Sequence, residues 1–148
     1  MSLCWVWSRL GELAPEQIHA VFGARQAVFV LEQTCLYPDI DGLDLDSWHL
    51  LGSNAGVLCA YLRVVPPGRK YKEPSIGRVL TVSSVRAKGY GQALMREGIR
   101  RTEHCYPNVG IRISAQCYLR RFYENLGFVT VGEPYDEDGI AHQEMLRA

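Results

Sequence analysis

The chain has 148 residues, of which 47% are hydrophobic, and its 16 basic and 16 acidic residues give a formal net charge of zero. That length and composition predict one globular α/β domain, spanning residues 1–148, with a single substantial core. The balanced charge argues against a general nucleic-acid or membrane-surface binder, for which an excess of basic residues is expected.

Targeting and cysteine signals point to the cytoplasm. We expect no signal peptide, because residues 1–5 lack a basic region and an apolar core, and no stretch approaches the 18 apolar residues of a membrane span. The five cysteines are odd in number and scattered, without a Cys-x-x-Cys pair. Their spacing predicts reduced thiols in a cytoplasmic protein and no metal site.

The N-terminal third of the chain predicts a strand, a helix and a loop. Residues 5–7 favour a short strand, and residues 15 to about 30 favour a helix that begins at a proline. Residues 36–47 are rich in Asp, Pro and Gly, which is typical of a loop. The four aspartates of this loop, at positions 39, 41, 44 and 46, fit either a site that attracts a cationic amine or a solvated turn, and we favour the solvated turn.

Three strands are predicted in the middle of the chain. Residues 48–51 and 55–64 indicate a hairpin that turns across residues 52–54. Residues 76–82, with the sequence Ile-Gly-Arg-Val-Leu-Thr-Val, are typical of a strand that is buried on both faces.

A glycine-containing turn, Arg86-Ala87-Lys88-Gly89-Tyr90-Gly91, joins that strand to a predicted helix ending near Cys105. At a helix start the unpaired N–H groups point outward and the dipole favours negative charge. The two glycines lack the Cβ atoms that would keep a phosphate from the backbone, and the arginine and lysine add positive charge. The turn therefore predicts a phosphate site. It lacks the ending of a Walker loop and the third glycine of a Rossmann fingerprint.

The C-terminal part continues the alternation of strands and helices. Residues 109–116 alternate cleanly between apolar and polar, although the polar side fits an edge strand equally well. A helix with an apolar stripe follows and ends at Gly127. Two short strands are predicted near residues 129–133 and 142–146. A helix of crossover length separates the strands at 76–82 and 109–116, which predicts that they are parallel.

Two motifs in this order resemble the GCN5-related N-acetyltransferases (GNATs). Arg86-x-x-Gly89-x-Gly91 is similar to their pyrophosphate loop, and Tyr123-x-x-x-Gly127-Phe128 is similar to their later tyrosine motif. Residues 25–50 and 135–142 further resemble the ElaA-like family. The resemblance implies the GNAT acyl-CoA N-acyltransferase fold (α+β), with flanking helices and a mixed, mostly antiparallel sheet that is splayed between its parallel fourth and fifth strands.

The same resemblance implies an activity. A GNAT transfers an acetyl group from acetyl-CoA directly to a primary amine within a ternary complex, with no metal, and the family habit includes homodimers. Two alternatives stay open: a non-catalytic acetyl-CoA-binding or interaction module on the same fold, and an acyltransferase that uses a longer acyl-CoA. The acceptor is not identified by the resemblance.

Roles for individual residues also follow from the resemblance. Tyr123 is implied as the general acid, because a phenol beside the CoA sulfur can protonate the departing thiolate. A backbone N–H near Thr81–Val82 is implied as the donor to the acetyl carbonyl. The implied cofactor-binding residues are Leu80, Thr81, Val82, Arg86, Ala87, Lys88, Gly89, Tyr90, Gly91, Gln92 and Gln116, the last of which replaces a common Asn. Candidates for the base or the acceptor side are Glu32, Asp44, His49 and His142.

Overall fold

Residues 3–148, which the computed structural model describes, form a seven-stranded sheet with helices on both faces. The strands are β1 (Cys4–Arg9), β2 (Trp48–Asn54), β3 (Val57–Val65), β4 (Ser75–Thr81), β5 (Ile111–Gln116), β6 (Val129–Glu137) and β7 (Ile140–Arg147). Their spatial order is β1-β2-β3-β4-β5-β7-β6. Only β4 and β5 pair in parallel, and the other neighbours are antiparallel. The predicted fold class is thereby confirmed.

In the described part of the chain three α-helices accompany the sheet: α1 (Pro15–Arg25), α2 (Tyr90–Cys105) and α3 (Arg120–Glu124). The helix predicted to end near residue 30 leaves the α-helical pattern after Arg25 and continues as a π-helix, Gln26–Glu32. Its last turn is closed by the Gln33 N–H, which donates to the Val28 carbonyl at 3.1 Å. Among residues 3–148 there is no helix with the length and apolar character needed to cross a membrane.

Apolar side chains cover both faces of the central strand β3, because successive residues of a strand point to opposite sides. Leu62 is fully buried in the core shared with Leu94 of α2. Tyr61, its neighbour in the chain, is equally buried on the other face, in the core shared with Val21 of α1. The sheet is therefore the middle layer of a three-layer structure.

Gly98 brings α2 close to β3. A Cβ at this position would lie 2.6 Å from Leu62 Cδ2. We expect Gly98→Ala to lower the free energy of unfolding by about 1–3 kcal/mol in urea denaturation, because the added methyl group overpacks the core. The matched control is Gly23→Ala in α1, where a Cβ would meet nothing within 4 Å. This change is expected to raise stability by about 0.5–1 kcal/mol. Stabilisation by both substitutions would contradict the close approach.

The predicted turn of the β2–β3 hairpin is wrong by about three residues. The turn lies at Ala55-Gly56, where both φ angles are positive, +51° and +80°. Two such residues form the tight turn that matches the twist of a hairpin. Gly52 instead lies within β2, where a Cβ would come within 2.7 Å of the Trp5 ring. Gly52 is therefore needed for the packing of the Trp5 side chain and does not form the turn.

The alternative interpretation of β5 as an edge strand is also wrong, because β5 lies between β4 and β7. Its polar side is engaged within the protein. Arg112 pairs with Glu73 and Glu144, each at 2.9 Å, and the Ser114 hydroxyl hydrogen-bonds the Tyr135 hydroxyl. Strands β6 and β7 are longer than predicted and almost meet at a tight turn.

Candidate active site

Strands β4 and β5 diverge and open a gap in the sheet. In the described part of the chain they pair at one position, Ser75 with Arg112, where the Arg112 N–H also donates to the Pro74 carbonyl at 3.0 Å. A cavity of about 470 Å³ lies between the strands beyond this point, with Thr81 on one side and Gln116 on the other. The edge of β4 that faces the gap leaves backbone groups available to a ligand.

The predicted phosphate turn follows β4 after a short 3₁₀ turn, Ser83–Val85, and α2 begins within it at Tyr90. Ala87 and Gly89 both have positive φ angles, +67° and +79°. At Gly89 and Gly91 an added Cβ would meet nothing within 4 Å, so no protein atom covers the backbone there. The first N–H groups of α2 have no partner within the helix. This open, donor-rich turn fits a phosphate group.

Backbone hydrogen bonds decide between the two candidate donors to the acetyl carbonyl, the N–H groups of Thr81 and Val82 at the end of β4. The Val82 N–H donates to the Cys59 carbonyl of β3 at 2.9 Å, which removes it from the candidates. Thr81 pairs with Ala60, and its carbonyl accepts from Arg86 Nε at 3.3 Å, so its backbone groups face away from β3. Because neighbouring N–H groups of a strand point to opposite edges, the Thr81 N–H faces the gap.

Tyr123 of α3 lies on the cavity wall and is 8% exposed. Its ring packs edge-to-face against Phe122 and Phe128, with centroid distances of 5.1 and 5.9 Å. Burial raises the pKa of Tyr123 to about 12. The phenol therefore keeps its proton throughout the neutral range.

The end of the π-helix and the following loop form the opposite wall. Glu32 pairs with Arg86 of the phosphate turn. Gln116 Nε2 donates to Gln33 Oε1 at 3.5 Å, which joins this wall to the end of β5. π-Helical turns are frequent at functional sites, and this one places Glu32 on the cavity.

His142 of β7 lies on the cavity wall and is 7% exposed. Its Nδ1 is 2.8 Å from the Ile140 carbonyl oxygen. A carbonyl only accepts hydrogen bonds, so Nδ1 carries the proton and Nε2 keeps its lone pair in the neutral ring. The Glu137 carboxylate lies 3.5 Å from Nε2 and would stabilise the protonated ring. This arrangement is suited to accepting a proton.

His49 lies outside the cavity lining and is fully buried. Its Nε2 donates to the Asp44 carbonyl at 2.9 Å, and its Nδ1 accepts from the Tyr61 hydroxyl at 2.6 Å. Burial lowers the pKa of His49, which keeps the ring neutral. Both ring nitrogens are engaged in holding the loop before β2, so the structure does not bring His49 to the other site residues.

Asp44 is likewise buried away from the cavity, within the loop predicted to be solvated. That expectation is wrong for two of its four aspartates, since Asp39 and Asp44 are 7% and 2% exposed. Arg25 binds both of them, through Nε to Asp39 at 2.9 Å and through Nη1 to Asp44 at 2.6 Å. Burial alone would raise the pKa of Asp44. The hydrogen bond and the positive charge of Arg25 outweigh burial, so the pKa of Asp44 is lowered.

Two further arginines join this network from the sheet. Arg63 of β3 binds Asp41 at 2.7 Å and Asp44 at 3.0 Å, and Arg78 of β4 lies 2.9 Å from Asp39. Arg78 sits in an unpredicted β-bulge, where β4 has one residue more than β3 between the pairs Tyr61–Leu80 and Arg63–Gly77. Its φ of +51° turns the side chain toward the loop.

Comparison with known proteins identifies the family. A model described as an acetyltransferase (GNAT) domain matches residues 54–147. The chain belongs to the GNAT family. A UPF0039 protein of Synechocystis is 45% identical to this GNAT over 147 residues, covering 99% of the chain and 96% of the relative. Protein ElaA of Escherichia coli is 40% identical over 138 residues, covering 92% and 90%.

A solved structure agrees with this assignment. The crystal structure of an acyl-CoA N-acyltransferase from Pseudomonas aeruginosa is similar to this GNAT with a TM-score of 0.94 and 39% sequence identity, covering 99% of this chain and 100% of that one. The predicted ElaA-like GNAT family is confirmed. Membership supports an acyl-CoA-dependent acyltransferase activity.

Seven of the sixteen predicted site residues line the GNAT cavity. Its lining includes Glu32, Leu80, Thr81, Arg86, Gln116, Tyr123 and His142. It also includes Glu137 and Asp138, which the sequence analysis missed, although the acidic stretch just before His142 was a signal for them. Among residues 3–148 no group of three or more His, Cys, Asp or Glu side chains is arranged to hold a metal ion.

Proposed function

We propose that this protein transfers an acetyl group from acetyl-CoA to a primary amine within a ternary complex. The observation that carries the proposal is the gap between β4 and β5, with the predicted phosphate turn near one end and the Tyr123 ring on its wall. When bound there, acetyl-CoA supplies the activated thioester. Every other contribution comes from side chains and backbone groups of the chain.

The donor is held in two places in this proposal. The backbone N–H groups of residues 86–92 and the Arg86 guanidinium bind the pyrophosphate. The part of β4 beside the gap, over residues 80–82, contacts the pantetheine arm. The Thr81 N–H faces the gap and donates to the acetyl oxygen as negative charge develops on it.

Tyr123 acts as the general acid. Its pKa of about 12 keeps it protonated, so it is a hydrogen-bond donor at every physiological pH. A thiol has an ordinary pKa of about 8.5, which alone would make transfer from such a phenol unfavourable. The same burial also destabilises a thiolate formed beside the ring. This raises the pKa of the departing thiol, which favours proton transfer from the phenol.

His142 is the base in this proposal. The acceptor amine must lose a proton to attack, and Nε2 of His142 carries the lone pair that takes it. Glu137 then stabilises the imidazolium. Glu32 also lies on the cavity, but a carboxylate is a weaker base than an imidazole near neutral pH, so we choose His142 over Glu32.

A panel of monoamines, diamines, amino acids and peptides, incubated with acetyl-CoA and followed by free thiol release, tests the function. We expect turnover with at least one amine, and His142→Gln is expected to lower kcat by about 10²-fold with unchanged CoA affinity. Binding of CoA without transfer to any amine would favour the non-catalytic module. Faster turnover with butyryl-CoA or hexanoyl-CoA would favour the longer-chain alternative.

A further inference from the structure

The ion pair between Glu32 and Arg86 spans the mouth of the cavity. Arg86 belongs to the phosphate turn and Glu32 ends the π-helix on the opposite wall. The pair is bidentate, with the second contact, from Nη2 to Oε2, at 3.1 Å. Nε and Nη2 also donate to the Thr81 carbonyl at 3.3 and 3.2 Å. All three guanidinium nitrogens are thus bound within the protein.

A pyrophosphate at the turn competes for this guanidinium. Arginine matches phosphate oxygens in a two-pronged geometry, and Arg86 is the first residue of the turn. The two partners are 40% and 43% exposed, and ion pairs exposed to this extent are weak. A doubly negative ligand beside Arg86 therefore displaces Glu32 readily.

Displacement changes the charge of the cavity wall. The acidic side chains of the lining are Glu32, Glu137 and Asp138, and the basic ones are Lys70, Arg78 and Arg86. Arg78 is already bound by the buried aspartates of the loop before β2. Once Arg86 turns to a phosphate, the Glu32 carboxylate is left without its cation and faces the cavity.

We propose that Arg86 masks Glu32 in the free protein, and that donor binding unmasks it as an anchor for a cationic group on the acceptor. This inference rests on the proposed function. The reacting amine must be unprotonated to attack, so it cannot itself be the cation that Glu32 binds. The preferred acceptor is therefore a compound with a second cationic nitrogen, such as a diamine.

Titration calorimetry with CoA tests the mask without any turnover. Glu32→Gln is expected to tighten CoA binding about threefold to fivefold, because the ligand no longer has to break the pair. Removing a negative charge near phosphates also favours binding in general. The same change is therefore made in an Arg86→Gln background, where only this general effect remains and the mask predicts a smaller tightening. Glu133→Gln, an exposed carboxylate outside the cavity lining, is the control and should leave affinity unchanged.

Unchanged or weaker CoA binding by Glu32→Gln, or equal tightening in both backgrounds, would overturn the mask. The anchor is tested with a diamine and the monoamine of the same chain length. Glu32→Gln is expected to raise KM about tenfold for the diamine and to leave the monoamine unaffected. Equal changes for both amines would overturn the anchor. If no amine is acetylated at all, the proposed function fails, while the titrations still decide whether Arg86 masks Glu32.

Discussion

Replacing Tyr123 with Phe is expected to lower kcat by about 10²–10³-fold and to leave CoA affinity within about twofold, as loss of a general acid should. The substitution removes only the hydroxyl. The ring keeps its edge-to-face packing against Phe122 and Phe128, so the fold of α3 should not change. Steady-state kinetics with an acceptor from the amine panel, together with a CoA titration, separates turnover from binding.

Tyr118→Phe is the matched control for this experiment. Tyr118 also borders the cavity, but it is 73% exposed. Loss of its hydroxyl should change kcat by less than about threefold. Equal kcat values for the wild type and Tyr123→Phe would remove Tyr123 from the chemical step. A large loss of CoA affinity would assign it to donor binding instead.

The second large effect is on stability. Arg25→Met is expected to lower the free energy of unfolding by about 3–5 kcal/mol, because it leaves the buried network with three aspartates and only two arginines. Arg25 has no exposed surface, and its Nη2 also donates to the Asp39 carbonyl at 2.7 Å. The loss is measured by urea denaturation, with an unchanged dependence on denaturant as the sign that the native fold is kept.

Arg69→Met provides the comparison for that measurement. Arg69 binds Asp46 of the same loop, but the side chains are 45% and 52% exposed. Its removal should cost no more than about 1 kcal/mol. Similar losses for the two variants would show that burial does not increase the contribution of the Arg25 ion pairs to the free energy of unfolding. Recovery of stability on adding Asp44→Asn to Arg25→Met, which leaves two arginines and two aspartates in the network, would support the explanation by uncompensated charge.

Local patterns in the sequence were sufficient for the element order, and they also carry the prediction of the donor side of the site. The phosphate turn and Tyr123 each depend on residues that are close together in the chain, and their strand and helix context is periodic. The hairpin turn was misplaced because Gly52 has a packing role that depends on Trp5 of another strand. Nothing in the residues around position 52 reveals that neighbour.

The buried charge network could not be read from the sequence for a related reason. Arg25 lies 14 and 19 residues from the aspartates it binds, and Arg78 lies 39 residues from Asp39. An aspartate-rich loop is solvated unless the fold supplies such partners. The bulge that turns Arg78 toward the loop has no marker of its own, since arginine rarely adopts a positive φ. The same loop also covers His49, whose Nε2 donates to the Asp44 carbonyl.

The single pairing position between β4 and β5 has a mechanical consequence. Strands β1 to β4 and strands β5 to β7 form two ladders that are joined at one end, near Ser75 and Arg112. An extended ligand that enters the open end would meet backbone groups of β4 and β5 that are not paired with each other across the gap. Insertion would therefore break no hydrogen bond between strands. The extended ligand would lie between β4 and β5 in the place that a further strand occupies in a continuous sheet.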